Sequence, residues 1–467
     1  MAGMMYNTRV VQVVILAILL SILCPGCVLA PADTKSEQRR LNQYSQSFEP
    51  PLDQRPLPPL PERATWQDVL RQAFLVNGEL ESAYFEWKAA LARIDQAASW
   101  PNSDLAVSYS YMFSSEHIKS WNRNTFGFQP DPAMNLQLPI KSAQAGKVAL
   151  QDARTAGFRF LGMKFDLQQR VLLAYYDLAL MEEQIRIQQQ NVSLLSGIAE
   201  SAGARVQAGA PQQDLLKAQI EHRMAENELQ NMEAQRRSAQ AMLNGLLSRS
   251  PEVTLTLPAE LPAARPVPAD DAKLIAMGVA ENPGLAALAA QVVGRQDALE
   301  LARLRYVPDI NPMFSFTGSI SQALGAMVML PTNVPAIKGA IAESQAMVRS
   351  SQAVSRQTGS DRAASFVTAL LFLRNAERQT GLFQSTITPL AEQAMNASRV
   401  SYMAGTVGYS DLIDSQRTLL NVRLMTAQAR IEREKRLAEL EALAGTDIET
   451  LAQPQRNSAV APMANPK

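Results

Sequence analysis

Apolar residues recur at coiled-coil spacing over two long stretches in the first half of the chain. Within a predicted helix at residues 142–205, the heptad positions from Val171 onward are apolar except for Gln188, and residues 215–246 continue the same spacing. Such spacing over more than four heptads indicates coiled-coil packing. Because a helix of about 60 residues is roughly 90 Å long, the pattern predicts an elongated helical hairpin rather than a globular core.

Four short segments show the other period, in which apolar and polar residues alternate. In the first, Leu105, Val107 and Tyr109 alternate with Ala106 and Ser108. Their length matches the ~9–11 residues of a transmembrane β-strand, apolar toward lipid and polar toward a lumen. Two ordinary hairpins that cap a helical bundle would show the same pattern. The fourth segment is apolar throughout, so its pattern does not indicate which side chains would face lipid and which would face the lumen. The segments are 105–113, 134–138, 310–317 and 324–330.

Strands that span a membrane would have to be pooled from several copies of the chain. Four strands cannot close a barrel, and the open edges of a sheet are not tolerated in lipid. Three copies would supply twelve strands.

The body of the chain is one unit repeated with a shift of about 200 residues. Residues 77–80 recur as 282–285, and the turn at 209–215 recurs as 405–412. Each unit predicts a helix, two strands, a long helix, a tight turn and a second long helix. The predicted organisation is a lipoprotein signal peptide at 1–27, a Pro-rich extended tether at 28–65, a first repeat at 66–250, a Pro-rich linker at 251–272, a second repeat at 273–450 and a tail at 451–467.

The first thirty residues predict export and a lipid anchor. Arg9 is followed by fourteen mostly apolar residues, too short for a membrane span of ~20 residues and typical of a secretory signal. Gly26 precedes Cys27 as at a lipoprotein cleavage site, so Cys27 is the predicted lipidated residue. Signal cleavage without lipidation is the alternative. A redox pair of Cys24 and Cys27 is disfavoured, because it would lie at the end of a hydrophobic leader rather than in a folded βαβ context.

Composition and charge exclude several classes of function. The chain has 44 Lys and Arg against 44 Asp and Glu, so it lacks the basic surplus that nucleic-acid binding needs. Two His and two Cys cannot form a Cys/His zinc site. The sequence also lacks nucleophile-elbow, phosphate-loop, dinucleotide and H-E-x-x-H motifs. We therefore expect no enzymatic activity, no metal site, no cofactor and no nucleic-acid partner.

The duplicated openings, the paired alternating segments and above all the second turn, from Tyr402 through Gly405 to Asp414, resemble the TolC family of outer-membrane efflux proteins, in particular its lipidated branch. The resemblance covers residues 66–450. It implies a fold that is mainly α with β: a homotrimer whose coiled-coil hairpins form a periplasmic α-barrel, with four transmembrane strands per chain in a twelve-stranded β-barrel. It also implies outer-membrane lipid, a periplasmic adaptor and an inner-membrane pump as partners.

The resemblance also assigns roles to residues of the two turns. Asp411 and Asp414 match two acids that ring the closed periplasmic tip, and they lie one helical turn apart on one face; Asp214 occupies the matching place in the first turn. In a trimer the pair would give six carboxylates that attract cations, although Asp411 would equally suit a helix cap. Tyr402 matches a tyrosine that hydrogen-bonds between hairpins to close the gate. Val407 stands where the family prototype has an arginine, so a salt-bridge lock is not expected there.

The predicted function is a passive trimeric exit duct of a tripartite efflux or type I secretion system, located in the outer membrane and gated at its periplasmic helical tip. The alternative is a lipid-anchored periplasmic coiled-coil scaffold or adaptor whose strands form soluble hairpins. Two tandem helix–strand–helix units favour the duct, because adaptors usually carry one helical hairpin between β-rich domains.

Overall fold

The computed structural model describes residues 27–113, 116–131 and 136–449; the predicted signal peptide before Cys27 and the predicted tail lie outside the described residues. The helices are α1 (Thr34–Phe48), α2 (Trp66–Val76), α3 (Gly78–Ala98), α4 (Pro139–Gln207), α5 (Gln212–Leu246), α6 (Asp271–Ala280), α7 (Pro283–Arg303), α8 (Val334–Leu382), α9 (Thr388–Met403) and α10 (Tyr409–Ala444). The strands are β1 (Cys27–Val28), β2 (Ser99–Trp100), β3 (Leu105–Tyr111), β4 (Asn124–Pro130), β5 (Asp309–Thr317) and β6 (Ser321–Met329).

The chain divides into two compact units that do not coincide with the sequence repeats. One unit is formed by residues up to Ser45 with Tyr84–Phe158 and Ala286–Gln357. The other contains Gln46–Ala83, Arg159–Leu285 and the described residues from Thr358 onward. The first unit contains the strands, and the second contains both helical turns.

The helical hairpin predicted from heptad spacing is present as α4 and α5. Heptad residues of α4 such as Leu178, Leu195 and Ala202 are buried. The polar exception Gln188 is buried as well, and its side-chain amide nitrogen donates to the carbonyl oxygen of Ala225 on α5 at 2.9 Å. Because this polar group has a partner, it is accommodated in the apolar seam.

The second long helix is interrupted where the first is continuous. α8 ends at Leu382, a π-helical turn spans Phe383–Ile387, and α9 begins at Thr388. Pro389 explains the interruption, because it has no N–H for the helical hydrogen bond and its ring crowds the preceding turn, which a wider π turn relieves. The first hairpin therefore has one continuous long helix, whereas the corresponding helix of the second hairpin is divided by a π turn.

The strands of both repeats form a single four-stranded antiparallel sheet in the order β3-β4-β5-β6. β4 and β5 join the two repeats, with Phe126 opposite Phe316 and the hydroxyls of Thr125 and Thr317 2.9 Å apart. Two separate hairpins, the alternative left open by the sequence pattern, are therefore not what the chain forms.

One predicted strand is misplaced. Strand β4 lies at Asn124–Pro130, whereas the sequence pattern predicted a strand at 134–138. Residues 132–135 lie outside the described residues, and 136–138 are not in a strand. The other three predicted strands correspond to β3, β5 and β6.

The segment predicted as an extended tether, residues 28–65, is instead partly helical and packed. Its helix α1 buries Leu41, and the indole nitrogen of Trp87 on α3 donates to the Glu37 carboxylate at 3.1 Å. Further along, the Arg55 guanidinium donates to the Glu81 carboxylate at 2.5 Å. The prolines lie outside α1, so Pro-rich composition did not prevent a helix between them.

Buried charges fix the Pro-rich linker along α10. The Arg265 guanidinium donates to Glu441 at 2.9 Å and to Glu434 at 3.1 Å, and all three side chains are buried. Arg433 donates to the backbone oxygen of Arg265 at 2.7 Å. Burial raises the pKa of Glu441, and the positive charge of Arg265 opposes that shift.

No helix in the described part of the chain is both long and apolar enough to cross a membrane.

Candidate functional site

Two tight turns with left-handed glycines connect the long helices. Gly209 adopts φ +100° between α4 and α5, and Gly405 adopts φ +76° between α9 and α10. Both conformations favour glycine because it has no Cβ. The turns bring the predicted site residues Tyr402, Asp411 and Asp214 to the ends of these helices.

Asp411 lies in the first turn of α10 and caps it. The backbone N–H of Gly408 donates to the Asp411 carboxylate at 3.3 Å. Asp414 follows one helical turn later, and both carboxylates are exposed. The capping role considered from the sequence is therefore present, and it leaves Asp411 on the same exposed face as Asp414.

A groove beside Asp414 brings together residues of α5 and α10. It has a volume of about 280 Å³ and is lined in part by Lys217, Glu221, Asp414 and Arg417. The Arg417 guanidinium donates to the Glu221 carboxylate at 2.5 Å. This ion pair connects the first hairpin to the second.

Tyr402 is buried at the end of α9, where it contacts residues of two other helices. Its ring packs edge-on against Tyr409 of α10, with centroids 6.4 Å apart. The guanidinium of Arg205, in the last turn of α4, lies 4.2 Å from the centroid of the Tyr402 ring. Arg205 Nη1 also donates to the backbone oxygen of Tyr402 at 2.9 Å.

Arg205 is the contact residue that the sequence analysis did not identify. It lies four residues before Gly209, where a basic side chain is ordinarily explained by the negative end of the helix dipole. Its partner is almost 200 residues away along the chain, and no local spacing signals that. Val407, in contrast, packs against the apolar core below the turns.

Tyr409 lies where the charges of both hairpins converge. Burial raises its pKa to about 12, and the carboxylates of Glu221 and Asp214 act in the same direction. Its hydroxyl is buried and has no hydrogen-bond partner among the described residues. Asp214, in the first turn of α5, is thus electrically coupled to the α9–α10 turn.

Buried amides connect the hairpins above the turns. The side-chain nitrogen of Gln416 on α10 donates to the side-chain oxygen of Asn191 on α4. Asn191 in turn donates to Gln188 at 3.4 Å, and all three residues are buried. Since buried polar pairs are costly to separate, this layer fixes the register between α4 and α10.

Cys27, the predicted lipid anchor, lies beside the start of the large sheet. In the pairing of β1 with β2, Cys27 is opposite Trp100 and Val28 is opposite Ser99. Strand β3 begins at Leu105, five residues after Trp100. The Cys27 side chain is exposed.

The described residues contain no group of three or more His, Cys, Asp or Glu side chains placed to hold a metal ion.

Comparisons with known proteins identify similar chains. Residues 69–249 match the family model described as outer membrane efflux protein. The cobalt-zinc-cadmium resistance protein CzcC of Cupriavidus metallidurans is 24% identical over 373 residues, which cover 77% of this chain and 85% of CzcC. The structure of the outer-membrane channel OprN has a TM-score of 0.68 at 15% identity and covers 87% of this chain and 92% of OprN. The structure of VceC from Vibrio cholerae has a TM-score of 0.67 at 16% identity and covers 82% of this chain and 96% of VceC. The chain shares the fold of these channels.

Proposed function

We propose that this chain, of which residues 69–249 match the outer membrane efflux protein family, forms the outer-membrane exit duct of a tripartite efflux or type I secretion system. The observation that carries the proposal is the single sheet β3-β4-β5-β6, assembled from both repeats and attached to long paired helices. The scaffold alternative required soluble hairpins and gains no support from this sheet.

The proposed assembly is a homotrimer. Strands β3 and β6 are the unpaired edges of the sheet, and open edges in lipid must be closed by further strands. On α5, Leu216, Ile220 and Met224 are more than half exposed at i, i+4 spacing. An apolar stripe of this kind needs a cover, and a neighbouring copy in a closed ring supplies one.

In the trimer, Asp411 and Asp414 would form an acidic constriction at the periplasmic tip, with Asp214 contributing from the first turn. Six carboxylates converging on one axis would attract cations and repel one another. The exposure of both Asp411 and Asp414 in the single chain supports this role.

We assign Tyr402 to the gate-closing contact, and the geometry adds Arg205 to it. Arg205 binds both the ring and the backbone oxygen of Tyr402, so it ties the end of α4 to the end of α9. This contact would supply the lock that Val407 cannot.

The proposed anchor is an acyl chain on Cys27. The pairing of Cys27 with Trp100, five residues before β3, supports an anchor at the membrane surface, where Trp side chains are favoured. A periplasmic adaptor and an inner-membrane pump would supply the connection and the energy. CzcC is named for resistance to cobalt, zinc and cadmium, so divalent metal ions are a cargo to test first.

The duct is tested by reconstituting the purified full-length protein in planar bilayers and measuring its mass in detergent. We expect a trimer that conducts ions. Surface labelling of intact cells through His117→Cys, in the loop between β3 and β4, should succeed without permeabilisation. Labelling that requires permeabilisation, or a protein that never conducts, would reject the duct.

The constriction is tested with the double variant Asp411→Asn/Asp414→Asn. Single-channel conductance should change in size or in cation preference. The variant Glu86→Gln/Asp95→Asn removes the same charge from exposed positions of α3 and should conduct like the unmodified protein. Identical traces for both variants would remove Asp411 and Asp414 from the pore.

A further inference from the structure

The four-stranded sheet has an apolar face and a polar face, and the large apolar side chains that its strands place on the polar face are all methionines. The strand register places Phe128 opposite Phe314 on the apolar face. On the polar face, the rows consist largely of Ser, Thr, Gln, Asn, Gly and Ala. Among the residues of the four strands, the large apolar side chains on this face are Met313, Met327 and Met329.

The three methionines occupy consecutive rows at one end of the sheet. Rows on the same face are about 7 Å apart, because each strand residue advances ~3.3–3.4 Å. The sulfurs therefore form a ladder along the strand direction rather than a single cluster. The cross-strand pairs in these rows are Met313–Gly325, Asn311–Met327 and Asp309–Met329.

Gly325 makes room for the Met313 side chain. A Cβ at Gly325 would lie 3.1 Å from Cγ and 3.3 Å from Sδ of Met313. The Met313 thioether thus lies over β6, the strand that carries Met327 and Met329. The exposed fractions of Met313, Met327 and Met329 are 37%, 50% and 40%, so the thioethers are accessible on this face.

The chemistry of this face suits a soft cation. Thioether sulfur is a soft ligand that selects Cu(I), whereas oxygen ligands suit Mg²⁺ and Ca²⁺. Among the strand residues, charge on this face is limited to Asp309, which pairs with Lys141 at 2.7 Å. A need for apolar filler would be met equally by Leu, Val or Phe, which the chain uses on the opposite face.

We propose that Met313, Met327 and Met329 form a thioether ladder that binds soft monovalent cations, copper(I) or silver(I), in transit. The proposal rests on the proposed function, in which the polar face lines the lumen of a trimeric barrel. Three copies place nine sulfurs around that lumen in three levels. Neutral, weakly binding sites in series let a cation enter and leave, as conduction requires.

The experiment is a titration of the full-length trimer with silver nitrate in chloride-free detergent buffer, observed through ¹³C-labelled methionine methyl groups. The methyl resonances of Met313, Met327 and Met329 should shift saturably with Ag⁺ and stay unchanged with Zn²⁺. The variant Met313→Leu/Met327→Leu/Met329→Leu should bind Ag⁺ at least tenfold more weakly. The control Met242→Leu/Met347→Leu/Met425→Leu, which removes three exposed helical methionines, should retain this binding.

The negative outcomes distinguish a failure of the ladder from a failure of the duct. Unchanged resonances of the three strand methyls in the unmodified protein, or equal Ag⁺ affinity in the strand variant, would overturn the ladder. Potassium conductance is measured on the same preparations. Conductance without Ag⁺ binding rejects the ladder alone, whereas an unmodified protein without conductance rejects the duct on which the ladder depends.

Discussion

Arg205 contacts Tyr402 through an aromatic face and a backbone oxygen, neither of which is a carboxylate. Replacing it with alanine removes a cation–π contact and a charged hydrogen bond, together roughly 2 kcal/mol per chain. We expect Arg205→Ala to raise the open probability of single channels tenfold or more, since about 1.4 kcal/mol is a factor of ten. The open probability of Arg205→Lys should lie between those of the unmodified protein and Arg205→Ala, because lysine keeps the charge but lacks the planar guanidinium.

A global loss of stability would also open the proposed gate, so the midpoint of thermal unfolding is measured alongside conductance. Arg205→Ala should shift conductance far more than the unfolding midpoint. Closed channels in Arg205→Ala would show that Tyr402 is held by other contacts.

Tyr409 offers a test through pH. Its pKa is raised to about 12, above the ordinary value of 10.0. A raised pKa means that the neutral phenol stabilises the fold below pH 10, and that this contribution is lost as pH rises from 10 through 12. Tyr409→Phe has no such loss, and at pH 7 it removes a buried hydroxyl without a partner.

We therefore expect Tyr409→Phe to be at least as stable as the unmodified protein at pH 7 and increasingly more stable above pH 10. Thermal unfolding from pH 7 to pH 11 and tyrosinate absorbance measure both effects. A Tyr409→Phe protein that is less stable at pH 7 would mean that the hydroxyl has a partner in the trimer.

Sequence inspection correctly located Asp411, Asp414 and Asp214 at the ends of their helices, because glycine turns and acidic first turns are local signals. Whether the three residues ring a pore stays a prediction. Arg205 could not be found in the same way, because its partner Tyr402 belongs to the other repeat. Contacts between distant segments depend on packing rather than on local spacing.

At the scale of elements, the sequence pattern was wrong about two segments: strand β4 and the helix α1 within the Pro-rich segment. Gly127 and Pro130 weaken the strand propensity of β4, yet pairing with both β3 and β5 forms the strand. The helix α1 was hidden by flanking prolines, although Leu41 and Phe48 recur at a helical interval of seven. Long periodic segments such as α4 were predicted well because one period persists over many turns.

The end of α10 depends on a glycine that the sequence alone did not single out. Gly445 caps the helix at φ +69°, and a Cβ there would lie 2.1 Å from Cδ of Pro283. Left-handed backbone costs a residue with a Cβ about 1–2 kcal/mol, and the clash with the Pro283 ring adds to that cost. Gly445→Ala should therefore lower the midpoint of thermal unfolding.

Gly359 on α8 is the matched control, since a Cβ there meets nothing within 4 Å. Gly359→Ala should stabilise the protein by about 1 kcal/mol, as expected within a helix. Equal midpoints for the two alanine variants would show that the end of α10 can rearrange.

At the scale of the whole molecule, Cys27, the proposed anchor, and the four-stranded sheet belong to the same compact unit. Palmitate labelling of growing cells should be lost in Cys27→Ser and retained in Cys24→Ser, a position outside the described residues. Because β1 pairs with β2 through the backbone, Cys27→Ser should leave trimer mass and conductance unchanged. Labelling that persists in Cys27→Ser would dismiss the proposed anchor.

The resemblance to the TolC family is confirmed by the family match and by the shared fold, and so is the interpretation as an outer-membrane efflux channel. Its trimer, barrel closure and partners stay proposals, because they concern surfaces that one chain leaves open. The sequence predicted the pooling of strands from the argument that four strands cannot close a barrel, and the homotrimer and its partners from the family resemblance.

The π turn at Phe383–Ile387 shifts the sequence period of the second long helix. Its i→i+5 hydrogen bonds take up one residue more than an α-helical turn does, so positions after the turn are displaced by one residue from the spacing that α8 would continue. Tyr402 therefore meets Arg205 in a register that begins with α9 at Thr388 rather than with α8 at Val334.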